Sequence, residues 1–252
     1  MKISVVTVAF NSGRTIRHTI ESFLAQTHRE AELLVIDGAS TDDTCAIVRS
    51  YADPRIRLLS EPDRGLYDAM NKGLGLFGGD AVGFLNSDDR YNNPGVLGAI
   101  AAALAQHDVV CGNLDFVEDH VSRRVVRRWR GRPWRPGGFR RGWMPAHPTF
   151  YVRRAVAART GAFDLGYRIA ADYDFMLRAV EFGGGDRPVR AAFIADVMVD
   201  MMIGGASTSG LGAYLRGNLE SLRSRRRWLG SGLIDTALLA KPFGKLGQFV
   251  AR

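Results

Sequence analysis

Only two cysteines, Cys45 and Cys111, occur in 252 residues. Two thiols cannot staple a secreted disulfide framework, and their separation matches no metal-ligand spacing. Both are expected to be buried thiols in a reducing compartment. No stretch approaches the roughly 20 apolar residues that span a bilayer. The chain opens on the strand-like run Ile3-Ser4-Val5-Val6-Thr7-Val8, with no basic leader, apolar core or cleavage site before it. The expectation is a cytoplasmic protein, with peripheral contact at the inner face of the cell membrane left open. Internal repeats and disordered tracts are also missing. Acidic residues are outnumbered, 26 against 34 lysines and arginines, which gives a net charge of +8. The excess crowds into Arg123 to Arg141 and into Arg223, Arg225, Arg226 and Arg227. Such runs are either solvated faces or surfaces for anionic phosphates.

What is present is ordinary for a soluble globular protein: 46% hydrophobic and 24% charged residues. The length suits one large domain, or at most two small ones. Apolar, β-branched runs predict strands at Ile3 to Ala9, Leu33 to Ile36, Ile56 to Leu59, Ala81 to Leu85 and Val109 to Gly112. Helical spacing intervenes at Ile16 to Leu24, Ala46 to Tyr51, Leu66 to Phe77 and Pro94 to Ala105. Further on, Asn113 to Arg130 reads as a strand pair and Arg130 to Gly142 as a long loop. Val152 to Arg159 and Tyr173 to Phe182 read as helices, and Ala191 to Met201 as a strand. Leu211 to Trp228 and Ile234 to Leu239 read as helices. Strands alternating with helices predict an α/β fold with a mainly parallel central sheet covered on both faces.

In such sheets ligands bind beyond the carboxyl ends of the strands. Polar clusters fall at four of those ends: Phe10-Asn11, Asp37, Glu61-Asp63-Arg64, and Asn86 to Asp89. Their convergence says more than any one of them. Two adjacent carboxylates, Asp88 and Asp89, are costly at the end of a buried strand unless a cation neutralises them. Carboxylate oxygens suit Mg²⁺ or Mn²⁺, which commonly bridge phosphates. The competing reading is a helix cap ahead of Pro94. Asp172 lies where small and apolar residues lead into a helix start, which suits a partly desolvated general base. An N-cap is the competing reading there.

Three segments in order resemble family 2 glycosyltransferases of the GT-A fold: Ser4 to Asn11, Val35 to Thr44, and Asn86 to Asp89. The stretch Ser60 to Gly73 is similar to a bacterial subgroup that builds exopolysaccharide and O-antigen units. Weaker likeness follows at Ala146 to Phe150 and Asp172 to Arg178. The resemblance implies a single GT-A, Rossmann-like domain over residues 1–210. Residues 1–112 would bind nucleotide, 113–210 would bind acceptor, and 211–252 would form a helical C-terminal extension. It implies inverting, metal-dependent transfer from a nucleoside-diphosphate sugar to a glycan or lipid-linked acceptor.

The resemblance also implies roles. Phe10 stacks on the nucleobase, with Thr7, Asn11 and Asp37 around the donor. Asp88 binds ribose or the first phosphate, and Asp89 is the main metal ligand, for Mn²⁺ or Mg²⁺. Arg64 or Lys72 neutralises the diphosphate, His147 forms a wall, and Asp172 is the base. Gly204 to Ser207 resembles a loop that closes near the donor phosphates. Many members carry a second aspartate where this chain has Gly38. A UDP-sugar is favoured, with GDP- and dTDP-sugars open. Two other readings compete. A nucleotide-sugar binding module without transfer is disfavoured by the intact acid pair and base. Nucleic-acid binding through Arg127 to Arg135 leaves the four strand ends unexplained, so that segment is expected at the acceptor or a membrane surface.

Overall fold

The computed structural model describes residues 1–204 and 211–230. Its first half runs β1 (Ile3–Ala9), α1 (Ile16–Leu24), β2 (Ala31–Asp37), α2 (Thr44–Arg49), β3 (Ile56–Ser60), α3 (Leu66–Leu76) and β4 (Ala81–Phe84). The strands pair in parallel in the order β3-β2-β1-β4. Strands β1, β2 and β4 are buried along their whole lengths, as expected for a sheet covered on both faces. Alternate residues serve opposite cores. Val6 and Val8 pack with Tyr67 and Met70 of α3 on one side, while Val5 and Ala9 pack with Ile16 and Ile20 of α1 on the other. Helix α3 comes so close that a Cβ at Gly73 would collide with the Val6 side chain.

The chain moves outward from β1 to β3, then crosses back to β4 on the other side of β1. This reversal makes a topological switch point between the carboxyl ends of β1 and β4, where ligands usually bind in such sheets.

The second half runs β5 (Asp89–Tyr91), α4 (Val96–Gln106), β6 (Val109–Val117), β7 (Val125–Trp129), β8 (Tyr151–Arg153), α5 (Arg154–Thr160), α6 (Ala171–Phe182), β9 (Ala191–Met202) and α7 (Leu211–Leu229). Here the sheet is mixed. Strand β8 lies antiparallel between β4 and β6, β9 is parallel to β6, and β5 and β7 are antiparallel additions. Parallel pairing therefore dominates residues 3–84, while the remainder mixes directions. The segment Val152 to Arg159, expected as helix, begins as β8. Tyr151 is fully buried there, with its hydroxyl 2.6 Å from that of Tyr91. Strand β5 was not foreseen, because three residues carry no readable period. The expected helix Ile234 to Leu239 lies outside the described residues.

Candidate active site

The switch point is built first from strand ends. Strand β1 hands the chain to Phe10, which is 65% exposed. Asn11 then turns with φ 49°, a left-handed conformation that asparagine tolerates. Its N–H donates to Ser40 Oγ at 2.7 Å, and its side-chain oxygen accepts from Thr41 N–H at 2.9 Å. The β1 and β2 loops are thereby locked together. Asp37 sits beneath them, fully buried. Burial pushes its carboxyl up, but donors outweigh that: the Ser40 hydroxyl, Ser60 Oγ at 2.7 Å and Cys45 Sγ at 3.2 Å leave it below the usual range. Asp37 organises the loop from below. Cys45, expected to be buried, is only half-buried and takes part in this network, whereas burial pushes the Cys111 thiol up to about 12.

Thr7 is also fully buried, and its hydroxyl donates to Leu85 O at 2.7 Å. It ties β1 to the end of β4 and has no exposed face. At Gly38 a Cβ would come 2.5 Å from Asp63 Oδ2. A carboxylate from the third strand end thus occupies the neighbouring space. Nothing in the composition of the 61–64 cluster pointed to this.

Ser12 Oγ meets Ser87 Oγ at 2.8 Å, joining the β1 and β4 loops. Asp88 beside it is half-buried, and Asp89 is fully buried at the start of β5. Burial raises both carboxyls, and the charge of Asp88 raises Asp89 further. Asn86 Nδ2 donates to Asp89 Oδ2 at 3.2 Å. Asp89 Oδ1 and Asn86 Oδ1 have no partner. Among the described residues no ion pair neutralises either aspartate. The helix-cap reading does not hold, since the N-cap of α4 is Gly95 and Asp89 belongs to a strand. A buried, like-charged pair with an orphaned oxygen fits a divalent cation. No group of three acidic, histidine or cysteine side chains gathers among the described residues. The protein would supply one or two carboxylates, as Mg²⁺ sites completed by phosphate oxygens and water require. His120 donates from Nε2 to the Asp88 carbonyl at 2.7 Å and steadies this turn, a role no motif announced.

Helix α6 and the turn before β8 reach this end of the sheet through His147 on Phe84 and Asp172 beside Tyr67. Asp172 is the second residue of α6 and is half-buried. Its Oδ1 accepts from Tyr173 N–H at 2.8 Å and lies 3.4 Å from the Tyr67 hydroxyl. The N-cap of α6 is Ala170, not Asp172. Tyr67 was not singled out from the sequence. His147 is buried and stacks on Phe84 at 5.3 Å, linking its turn to the end of β4. Burial lowers its pKa against the attraction of Asp172, which favours the neutral imidazole.

The two basic candidates part ways. Lys72 donates to Pro62 O at 2.7 Å and pairs with Glu61 at 2.8 Å, bracing the loop from within. Arg64 is exposed and pairs with Asp68 at 2.9 Å. Of the expected closing loop, Gly204 has φ 109°, and residues 205–207 lie outside the described residues.

The switch point of this α/β sheet thus has an acid pair at the end of β4 and a carboxylate at the start of α6. The model of "Glycosyl transferase family 2" matches residues 4–164. The chain belongs to glycosyl transferase family 2 and has the GT-A fold. An uncharacterised glycosyltransferase of Mycobacterium tuberculosis is 35% identical over 180 residues, which is 70% of this chain and 68% of that protein. A PGL/p-HBAD biosynthesis glycosyltransferase of Mycobacterium bovis is 31% identical over 189 residues, 69% of this chain and 68% of that one. Among solved structures, the mannosyltransferase PcManGT from Pyrobaculum calidifontis, in complex with GDP-Man and Mn²⁺, superposes with TM-score 0.68 at 18% identity. It covers 97% of this chain and 70% of its own. TarS of S. aureus in complex with UDP-GlcNAc superposes with TM-score 0.66 at 21% identity, over 94% and 69% of the two chains. These last two speak to the fold.

Proposed function

We propose that this glycosyltransferase inverts configuration, uses Mn²⁺ or Mg²⁺, and moves a sugar from a nucleoside diphosphate to a hydroxyl of a glycan or lipid-linked acceptor in bacterial surface polysaccharide or glycolipid synthesis. The observation that carries it is the uncompensated pair Asp88 and Asp89, with an orphaned oxygen, at the switch point. A bound cation would neutralise the leaving diphosphate. Asp88, the carboxylate nearer solvent, takes the first place toward that cation, with Asp89 behind it. This reverses the emphasis that the sequence suggested. Phe10 offers an open ring to a nucleobase, and Asp63 offers a carboxylate beside Gly38 to its edge. Arg64, with its exposed guanidinium, is better placed than the braced Lys72 to meet phosphate.

In this reading Asp172 takes the proton from the attacking hydroxyl while the neutral His147 and Phe84 limit water at its side. Replacing Asp172 by Asn removes the proton acceptor and keeps the shape. Transfer should fall about 100-fold or more, with nucleotide binding retained. Near wild-type transfer would remove Asp172 from the role. The donor is to be found by screening UDP-, GDP- and dTDP-sugars for metal-dependent thermal stabilisation. Tight binding without turnover on any acceptor would instead favour a binding module.

A further inference from the structure

Helix α7 is more than an appendage to the fold. The N-cap of α6 is an alanine with no side-chain cap, so the backbone donors leading into that helix need a partner from elsewhere. Glu220 of α7 supplies it. Its Oε1 accepts from Arg168 N–H at 3.1 Å, and its Oε2 accepts from Ile169 and Ala170 N–H, each at 2.9 Å. Three consecutive donors thus end on one carboxylate, two residues before Asp172. The carboxylate also sits at the positive end of the α6 dipole.

The other side of the segment is held too, since the Tyr67 hydroxyl donates to Ile169 O at 2.6 Å. Gly217, one turn before Glu220, lets α7 approach, because a Cβ there would lie 3.3 Å from Ile169 Cγ2. A separate set of bonds fastens α7 to the body of α6: Ser224 Oγ and Trp228 Nε1 donate to Asp174 Oδ1 at 2.8 and 2.9 Å. The attachment of α7 and the capture of residues 168–170 are therefore separable.

We infer that Glu220 is a positioning residue for sugar transfer: by gathering the 168–170 backbone onto α7, it fixes the carboxylate of Asp172 toward the acceptor hydroxyl. This rests on the reading of Asp172 as the base. The Glu220 carboxylate does not touch the reacting atoms. It acts through the segment that carries Asp172, and it should affect turnover without affecting the donor.

The test compares Glu220→Gln, Glu220→Asp, Ser224→Ala and Asp172→Asn in the full chain. Amide hydrogen exchange at residues 168–170, read without substrate, should speed at least 10-fold in Glu220→Gln. With the donor that best stabilises the wild type, kcat should fall at least 10-fold in Glu220→Gln, and donor KM should stay within 2-fold. Glu220→Asp keeps the charge but is one methylene short, so it should fall between Gln and wild type; it also serves if the Gln variant does not fold. Ser224→Ala loosens α7 elsewhere and should keep kcat within 2-fold. Wild-type kcat in both Glu220 variants, or an equal loss of kcat in Ser224→Ala, would overturn the inference. An active Asp172→Asn variant would instead remove the base assignment beneath it, while an inactive Asp172→Asn beside fully active Glu220→Gln and Glu220→Asp would sink this inference alone.

Discussion

Asp89 carries the sharpest energetic tension in the molecule. A carboxylate with no solvent exposure, raised by burial and by its neighbour and lacking a counter-charge, is a cost to the bare fold. The isosteric amide removes that cost. Asp89→Asn should therefore be at least as stable as the metal-free wild type, and should abolish the extra stabilisation that Mn²⁺ with nucleoside diphosphate confers on the wild type. Thermal melts with and without both ligands check the two halves together. A variant that is less stable when metal-free would mean the carboxylate is satisfied in a way its surroundings do not suggest. Residue identity was legible here, but not the division of labour. Sequence alone could not tell that the turn swings Asp89 into strand β5 and leaves Asp88 nearer solvent. Exposure depends on the pairing of β5 with β9, more than a hundred residues away.

At the scale of elements, the first half of the fold was readable because each βα unit has its own period. Strands β1 to β4 and helices α1 to α3 match their expected spans within a few residues. In the second half α4, α6, β9 and α7 also match their expected spans within a few residues, while β5 and β8 escaped because long-range pairing sets them. Strand β8 is three residues inserted between β4 and β6, which local pattern cannot reveal. What fastens this region is an ion pair at the start of β6. Asp108 accepts from both Arg187 terminal nitrogens at 2.7 Å and from Arg190 N–H at 2.8 Å. The Arg187 bonds outweigh burial and hold its carboxyl down, from 3.8 to about 2. A carboxyl depressed in the folded state stabilises the fold above its ordinary value, and the benefit vanishes as pH falls from about 4 to about 2. Half of the Arg187 side chain meets solvent, so screening trims the worth to about 1 kcal/mol or less. Arg187→Ala should lose that amount in urea unfolding at pH 7 and almost nothing at pH 2. An equal loss at both pH values would contradict the ion-pair account.

For the whole molecule, the basic excess has a distribution that the sequence only partly disclosed. In the Arg/Trp segment Trp129 and Trp134 are half-buried, and beyond it Phe139 and Trp143 are buried, with Trp143 Nε1 donating to Arg132 O at 2.8 Å. Arg128, Arg132, Arg135, Arg140 and Arg141 are exposed around them. Helix α7 likewise turns Leu222, Ser224 and Arg225 inward. Over Leu222 to Trp228, the part expected to meet a membrane, these three face the fold while Arg223, Arg226, Arg227 and Trp228 are exposed. The outer face of α7 also offers Leu215 and Leu219, 54% and 65% exposed, beside Arg216. No described helix is long and apolar enough to cross a membrane. Apolar side chains among arginines suit an anionic bilayer surface. At low salt the protein should sediment with phosphatidylglycerol vesicles, and Leu215→Asp with Leu219→Asp should cut the bound fraction several-fold. Unchanged sedimentation in that double variant would move the contact elsewhere.

The account as a whole depends on strand ends meeting around a cation that grips a diphosphate. Calorimetric titration of UDP, GDP and dTDP, each with and without Mn²⁺, into the wild type and Asp88→Asn measures this directly. The expected result is tight binding of at least one nucleotide by the wild type only when Mn²⁺ is present, weakened at least 10-fold in Asp88→Asn. Equal affinity with and without the metal, unchanged in Asp88→Asn, would contradict it.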